Sequence, residues 1–258
     1  MDLKLKGKTA IVTGGSAGIG LAIVQALTAE GVTVTVPGRS KEKLDKALVG
    51  LSNVRAIAAD VATAQGSQTL IQQVPDTDIL INNLGVYEAK AFADITDADW
   101  LSIFETNVLS GVRLSRHYFP GMLQRNDGRI IFISSESGVM TPPEMIHYGV
   151  TKSAQLAISR GLAELTKGTA VTVNTVMPGP TRSEGIVEFL EKISSTPNPT
   201  PEQAEREFFE KHRSSSLLQR LIEAPEIASL VAFLASPLSA ATNGAALRAE
   251  GGLLRSIV

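Results

Sequence analysis

The sequence predicts an α/β fold in which seven parallel strands form one doubly wound sheet, with helices on both faces, as a single domain over residues 1–258. Short apolar runs alternate with helical stretches along the chain, the pattern left by parallel strands joined through crossover helices. The first of these runs feeds straight into a glycine-rich turn and then a helix. A chain of 258 residues with 43% hydrophobic content can also bury a large core in one layered domain.

The strands are expected at 9–13, 32–36, 54–58, 78–81, 129–134, 171–176 and, shorter, 245–248. Helical stretches separate them: the run from Leu21 to Leu27, then 41–50, 63–74, one long helix over 97–124, 148–166 and 225–234. In the long helix Trp100, Ile103, Phe104, Val108 and Val112 recur at helical spacing, which suits core or subunit contact. Ser194 to Pro201 holds three prolines and is expected to be a surface loop, because proline lacks the donor and fixes φ. From Arg182 to about Arg220 an apolar set, Ile186, Val187, Phe189, Leu190, Ile193, Phe208 and Phe209, is mixed with charges. This suits two amphipathic helices, acting as a mobile lid, or packed as static surface or against another subunit.

Composition narrows the partners. A formal charge of −2 with no long basic run favours neither nucleic acid nor an anionic membrane, leaving a small molecule. Cysteine is absent and the three histidines are scattered, so thiolate and metal chemistry are not expected. No apolar segment resembles a signal peptide or a membrane span, and a soluble cytoplasmic protein is expected.

Two features carry chemistry. The run Lys8 to Thr13 leads into Gly14-Gly15-Ser16-Ala17-Gly18-Ile19-Gly20 and a helix, an arrangement that brings backbone N–H groups and the positive end of a helix dipole up to a pyrophosphate. Tyr148 and Lys152 lie one helical turn apart, thirteen residues beyond Ser135. An ammonium beside a phenol favours the phenolate, so Tyr148 is expected to titrate below its usual range and to serve as a general acid and base. Ser135 is the hydroxyl that would hold the substrate oxygen.

Together with Asn82-Asn83-x-Gly85, Asn107 and Pro178-Gly179, these motifs resemble, in order and spacing, the short-chain dehydrogenase/reductase family over essentially the whole chain. The resemblance implies a Rossmann-like fold and an NAD(P)-dependent oxidoreductase that interconverts a carbonyl and an alcohol. Ser135, Tyr148 and Lys152 are then catalytic, and the backbone of Asn107 binds a water that links the lysine to solvent. It also implies cofactor contacts at Gly14, Ser16, Ala17, Gly18, Ile19, Gly20, Asp60, Val61, Asn83, Gly85, Tyr148, Lys152, Pro178, Gly179, Thr181 and, less directly, Ser183. Leu84 departs from the family's small alanine, and Glu250 stands where aspartate is usual.

At the end of the second strand, where an acid would bind the adenosine ribose hydroxyls, the chain has Gly38 followed by Arg39. An arginine there suits a 2′-phosphate, so NADP(H) is favoured over NAD(H). Glu136, Met140, Glu144, Met145 and His147 are candidates to line the substrate pocket. The resemblance further implies a homotetramer, or a dimer. A catalytically silent dinucleotide sensor of the same fold is the alternative. It would tolerate loss of Ser135, Tyr148 or Lys152, all of which are present. An epimerase would normally need a longer C-terminal substrate domain.

Overall fold

The computed structural model describes residues 1–257. Seven parallel strands form one sheet: β1 (Thr9–Val12), β2 (Thr33–Gly38), β3 (Val54–Ala58), β4 (Ile79–Asn82), β5 (Arg129–Ile133), β6 (Thr172–Pro178) and β7 (Ala246–Ala249). Their spatial order is β3-β2-β1-β4-β5-β6-β7. The order reverses between β1 and β4, so a crevice opens at the carboxyl ends of these neighbours, where ligands bind open α/β sheets.

Strand alternation divides the core between the two sheet faces. Ala10, Val12, Ile79, Ile81, Ile131 and Ile133 pack on one side with Ile23, Val24 and Leu27 of α1 (Gly18–Ala29) and Ile227 and Val231 of α9 (Ala224–Ala235). Ile11, Leu80, Ile130 and Phe132 point the other way, onto Leu70 of α3 (Ala64–Gln73) and Leu114, Tyr118 and Met122 of α5 (Ser110–Arg125). Each fully buried aliphatic side chain contributes about 1.5–3 kcal/mol of burial. Burial on both faces is why these strands read as continuous apolar runs.

The remaining helices are α2 (Lys41–Ala47), α4 (Asp97–Phe104), α6 (Ile146–Glu164), α7 (Glu184–Ile193) and α8 (Pro201–Lys211). Among the described residues no helix is long and apolar enough to cross a membrane.

One expectation is refined and another needs correction. The long helix expected over 97–124 is α4 and α5 joined by a π turn, Glu105–Leu109, with Asn107 in its middle. The widened turn suits a buried asparagine whose amide bonds to neighbouring segments rather than to solvent. Pro201 is not loop: it is the first residue of α8, where the missing N–H costs no helical hydrogen bond. The rest of 194–200 lies outside helix and strand.

The 182–220 excursion has its own small core, in which Phe189, Leu190, Phe208 and Phe209 cluster with Met145 and Leu221 while Tyr148 and Ile186 pack against them. Glu207 ties down the connecting loop by accepting from Ser194 Oγ at 2.6 Å and Ser195 N at 2.8 Å. These bonds hold its carboxyl well below the usual carboxylate range.

Candidate active site

The glycine turn runs from the carboxyl end of β1 into the first residue of α1. Gly14 has φ +65°, and a Cβ on Gly20 would stand 2.2 Å from the Gly14 carbonyl oxygen, so neither position tolerates a side chain without moving backbone. The helix begins with no side-chain cap at Ala17 and no acidic residue in its first turn. Its N–H groups and dipole therefore face the crevice without a competing anion of the protein's own.

The Asn82-Asn83 turn braces this loop. Asn83 Nδ2 donates to Thr13 O at 2.9 Å and Gly14 O at 3.3 Å. Thr13 Oγ1 accepts from the backbone N–H groups of Asn83 and Leu84, each at 2.9 Å.

β5 delivers Ser135 and α6 delivers Tyr148 and Lys152 to one wall of the cavity. Ser134 Oγ donates to the Lys152 carbonyl at 2.8 Å, fixing strand against helix. Lys152 Nζ lies 5.5 Å from the Tyr148 ring centre and donates to Ile133 O at 2.9 Å and Gln155 Oε1 at 3.2 Å. Asn107 is 1% exposed; its amide accepts from Val86 N at 2.8 Å and donates to Val86 O and Thr151 Oγ1. Its backbone carbonyl accepts from Gln155 Nε2 at 2.6 Å. Gln155 thus links the Asn107 backbone to Lys152 through its side-chain amide.

The electrostatics differ from the sequence expectation at Tyr148. Burial raises the phenol pKa well above its ordinary value, the nearby Glu136 carboxylate adds to the rise, and a hydrogen bond with Ser135 opposes it. Lys152 is lowered to about 8 by burial, with Glu136 opposing. A phenolate in this cavity loses its hydration and meets a carboxylate, and both effects favour the neutral phenol. Tyr148 in the chain alone is accordingly a neutral proton donor.

A family model for short chain dehydrogenase matches residues 8–193. The chain belongs to the short-chain dehydrogenase family. An uncharacterized oxidoreductase of Bacillus subtilis (strain 168), YvaG, is 48% identical over the full length of both chains. The 3-oxoacyl-[acyl-carrier-protein] reductase FabG of Vibrio cholerae is 31% identical over 97% of this chain and 99% of its own. Among solved structures, L-sorbose reductase from Gluconobacter frateurii, complexed with NADPH and L-sorbose, aligns over all of both chains with a TM-score of 0.93 at 28% identity.

This short-chain dehydrogenase gathers most of the expected residues around one cavity of about 700 Å³: Gly14, Ser16, Ala17, Gly18, Ile19, Gly20, Asn83, Gly85, Ser135, Tyr148, Lys152, Pro178, Gly179, Thr181 and Ser183. Arg39, Asp60 and Val61 lie outside its lining. Arg39 is exposed just past β2, Val61 is buried, and Asp60 accepts from Ala62 N at 3.2 Å. Of the suggested pocket residues, Glu136 and Met145 line the cavity. Met140 is exposed, Glu144 pairs with Arg213, and His147 is buried edge-on against Trp100.

Sequence reasoning missed Tyr87, Arg213 and Gln155. Tyr87 packs edge-on against both Tyr148 and Phe189 at about 6 Å between ring centres. Its position just after Asn83 and Gly85 was the available signal. Glu250, in place of aspartate, is 4% exposed; it accepts from Arg248 Nε at 2.6 Å and from the Leu253 and Leu254 N–H groups, bracing the turn behind Gly179.

Proposed function

We propose that this oxidoreductase interconverts a carbonyl and an alcohol, with Tyr148 as general acid and base and with NADP(H) favoured over NAD(H). The observation that carries the reading is the convergence of Ser135, Tyr148 and Lys152 on a cavity whose other end is the uncapped N-terminus of α1. The crevice fits a dinucleotide: glycines leave the room a pyrophosphate needs, and the helix start presents donors to it. When bound, a nicotinamide cofactor supplies or accepts the hydride.

The chain's own residues do the rest. With substrate bound, Ser135 turns its hydroxyl proton from Glu136 to the substrate oxygen where negative charge develops, Tyr148 donates to the same oxygen and gives up its proton there, and Lys152 holds the compensating positive charge. Asn107, through Gln155, keeps Lys152 in place. Gly85 lies against both Lys152 and Asn107, and Pro178, Gly179 and Thr181 form the wall for the nicotinamide end.

A spectrophotometric assay offering NADPH and NADH separately against ketones, aldehydes, diketones, sugars and a β-ketoacyl thioester tests the function. Oxidation of reduced cofactor by one carbonyl class is expected. Cofactor binding with no turnover of any class would favour the sensor.

The preference for NADP(H) rests on Arg39, exposed past β2 with no acid beside it in sequence. A solved neighbour complexed with NADPH agrees with it. Arg39→Ala should weaken NADPH by about 10–100-fold, the loss of a charge-assisted phosphate contact, and NADH hardly at all. Equal losses, measured by fluorescence titration, would show that Arg39 does not read the 2′-phosphate.

The 182–220 excursion is proposed as the substrate lid, since its apolar core packs directly on Tyr148. Hydrogen exchange in α7 and α8 should slow when NADPH and substrate are both present; unchanged exchange would make it a static wall. Assembly as a homotetramer or dimer is proposed from the family resemblance; light scattering decides it.

A further inference from the structure

Beside the catalytic serine lies a buried ionic group that the proposed chemistry does not use. Glu136 is 4% exposed and Arg213, just beyond α8, is 7% exposed, and both line the cavity with Ser135 and Tyr148. One Glu136 oxygen accepts from Ser135 Oγ and the other from Ser137 Oγ at 3.2 Å. Arg213 stands over the Phe208 ring at 5.3 Å, and its Nη1 donates to His212 O at 2.9 Å and to Glu144 Oε1 at 3.4 Å. Its Nε lies 3.6 Å from Glu136 Oε1, and this buried atom has no hydrogen-bond acceptor among the described residues.

The Arg213 Nε–H is paired in charge with Glu136 but lies just past hydrogen-bond length from it, so its hydrogen bond is open to a ligand that reaches both groups. Each candidate substrate chemistry meets it differently. A plain ketone covers the pair with carbon and leaves Nε unpaired. A carboxylate finds Arg213 already facing Glu136 and Glu144, so at this arginine it meets two carboxylates already in place. A hydroxyl both donates and accepts: its oxygen can take the Nε–H while its proton goes to Glu136 Oε1, bridging groups just past hydrogen-bond length. Because Glu136 also accepts from Ser135, that hydroxyl lies next to the oxygen Ser135 would polarise once its proton turns to the substrate. Met145, Phe189 and Phe208 close the rest of the pocket with apolar surface, which suits a neutral molecule.

We infer that the substrate is a neutral carbonyl compound with a hydroxyl on the carbon next to the carbonyl, selected by Glu136 and Arg213. The inference rests on the oxidoreductase reading above and names the substrate class of the same site.

Three compounds sharing an ethyl ketone skeleton test it: 1-hydroxy-2-butanone, its isostere 3-pentanone, and 2-oxobutyrate, each assayed with NADPH. kcat/KM for the hydroxy ketone should exceed that for 3-pentanone by about 10–100-fold, the discrimination one charge-assisted hydrogen bond provides, with 2-oxobutyrate poorest. Arg213→Met and Glu136→Gln should bring the hydroxy ketone to 3-pentanone ratio towards one. A general loss of structure lowers both rates together and leaves the ratio unmoved. Arg213→Lys, which keeps the charge, should retain part of the preference.

A wild-type ratio near one, preference for the oxo acid, or an unchanged ratio in variants that fold and bind NADPH would overturn the inference and leave the oxidoreductase reading intact. Turnover of hydroxyl-free carbonyls alone would do the same. Silence with every carbonyl tried, with NADPH bound, would remove both. Should Arg213→Met not fold, the wild-type ratio and Glu136→Gln decide.

Discussion

Tyr148→Phe should lower turnover by about 10²–10⁴-fold, the usual contribution of a positioned acid or base, and leave NADPH affinity within about threefold of wild type. The substitution removes one hydroxyl and keeps the ring that packs on Tyr87 and the apolar core of 182–220, so folding and the lining of the cleft should survive. Because burial and Glu136 favour the neutral phenol, the proposed reaction uses the hydroxyl as an acid towards a carbonyl oxygen. Lys152, lowered to about 8, supplies the charge that stabilises the phenolate left behind. Lys152 loses that charge as pH rises through about 8, so the reductive rate of the wild type should fall over the same range. Retention of more than about a tenth of wild-type turnover by the Phe variant, in pre-steady-state assays that isolate the chemical step, would remove Tyr148 from proton transfer.

The strand pattern was readable because a parallel sheet covered on both faces needs unbroken apolar runs, and Ile79 to Ile81 or Ile130 to Phe132 admit little else. The glycine turn and the Tyr148/Lys152 pair were readable because their spacing is local. The unread parts depend on contacts distant in sequence. Arg213 meets Glu136 only because the 182–220 excursion folds back onto Met145 and Tyr148, and nothing near Arg213 in sequence marks it as buried. Gln155 is an ordinary helical residue until the π turn offers it the Asn107 carbonyl, and a π turn leaves no apolar period to detect. The direction of the Tyr148 shift was misread for a related reason: helical spacing shows that Lys152 is near, whereas burial and Glu136 become visible only with the whole cavity.

Gly20→Ala should weaken NADPH binding by at least about 100-fold, as several charge-assisted contacts to a pyrophosphate are lost together. The added Cβ would stand 2.2 Å from the Gly14 carbonyl oxygen and 2.6 Å from Asn83 Nδ2, and the first of these is backbone that no side-chain rotation can relieve. Either α1 or the loop must shift. Gly14 and Gly18 both hold positive φ, so the loop has few alternative paths, and Asn83 pins it to Thr13 and Gly14. The displaced atoms are the N–H groups at the start of α1, on which the proposed pyrophosphate site rests. Overpacking of this kind costs about 1–3 kcal/mol, a fall of several degrees in the melting temperature of a chain this long, so the variant should fold and can be titrated. Gly161→Ala is the matched control: it lies in α6 with nothing within 4 Å of the added carbon, and should change neither affinity nor turnover. If Gly20→Ala binds NADPH as the wild type does, the pyrophosphate is not held at the start of α1, and the dinucleotide reading of the crevice is lost with it.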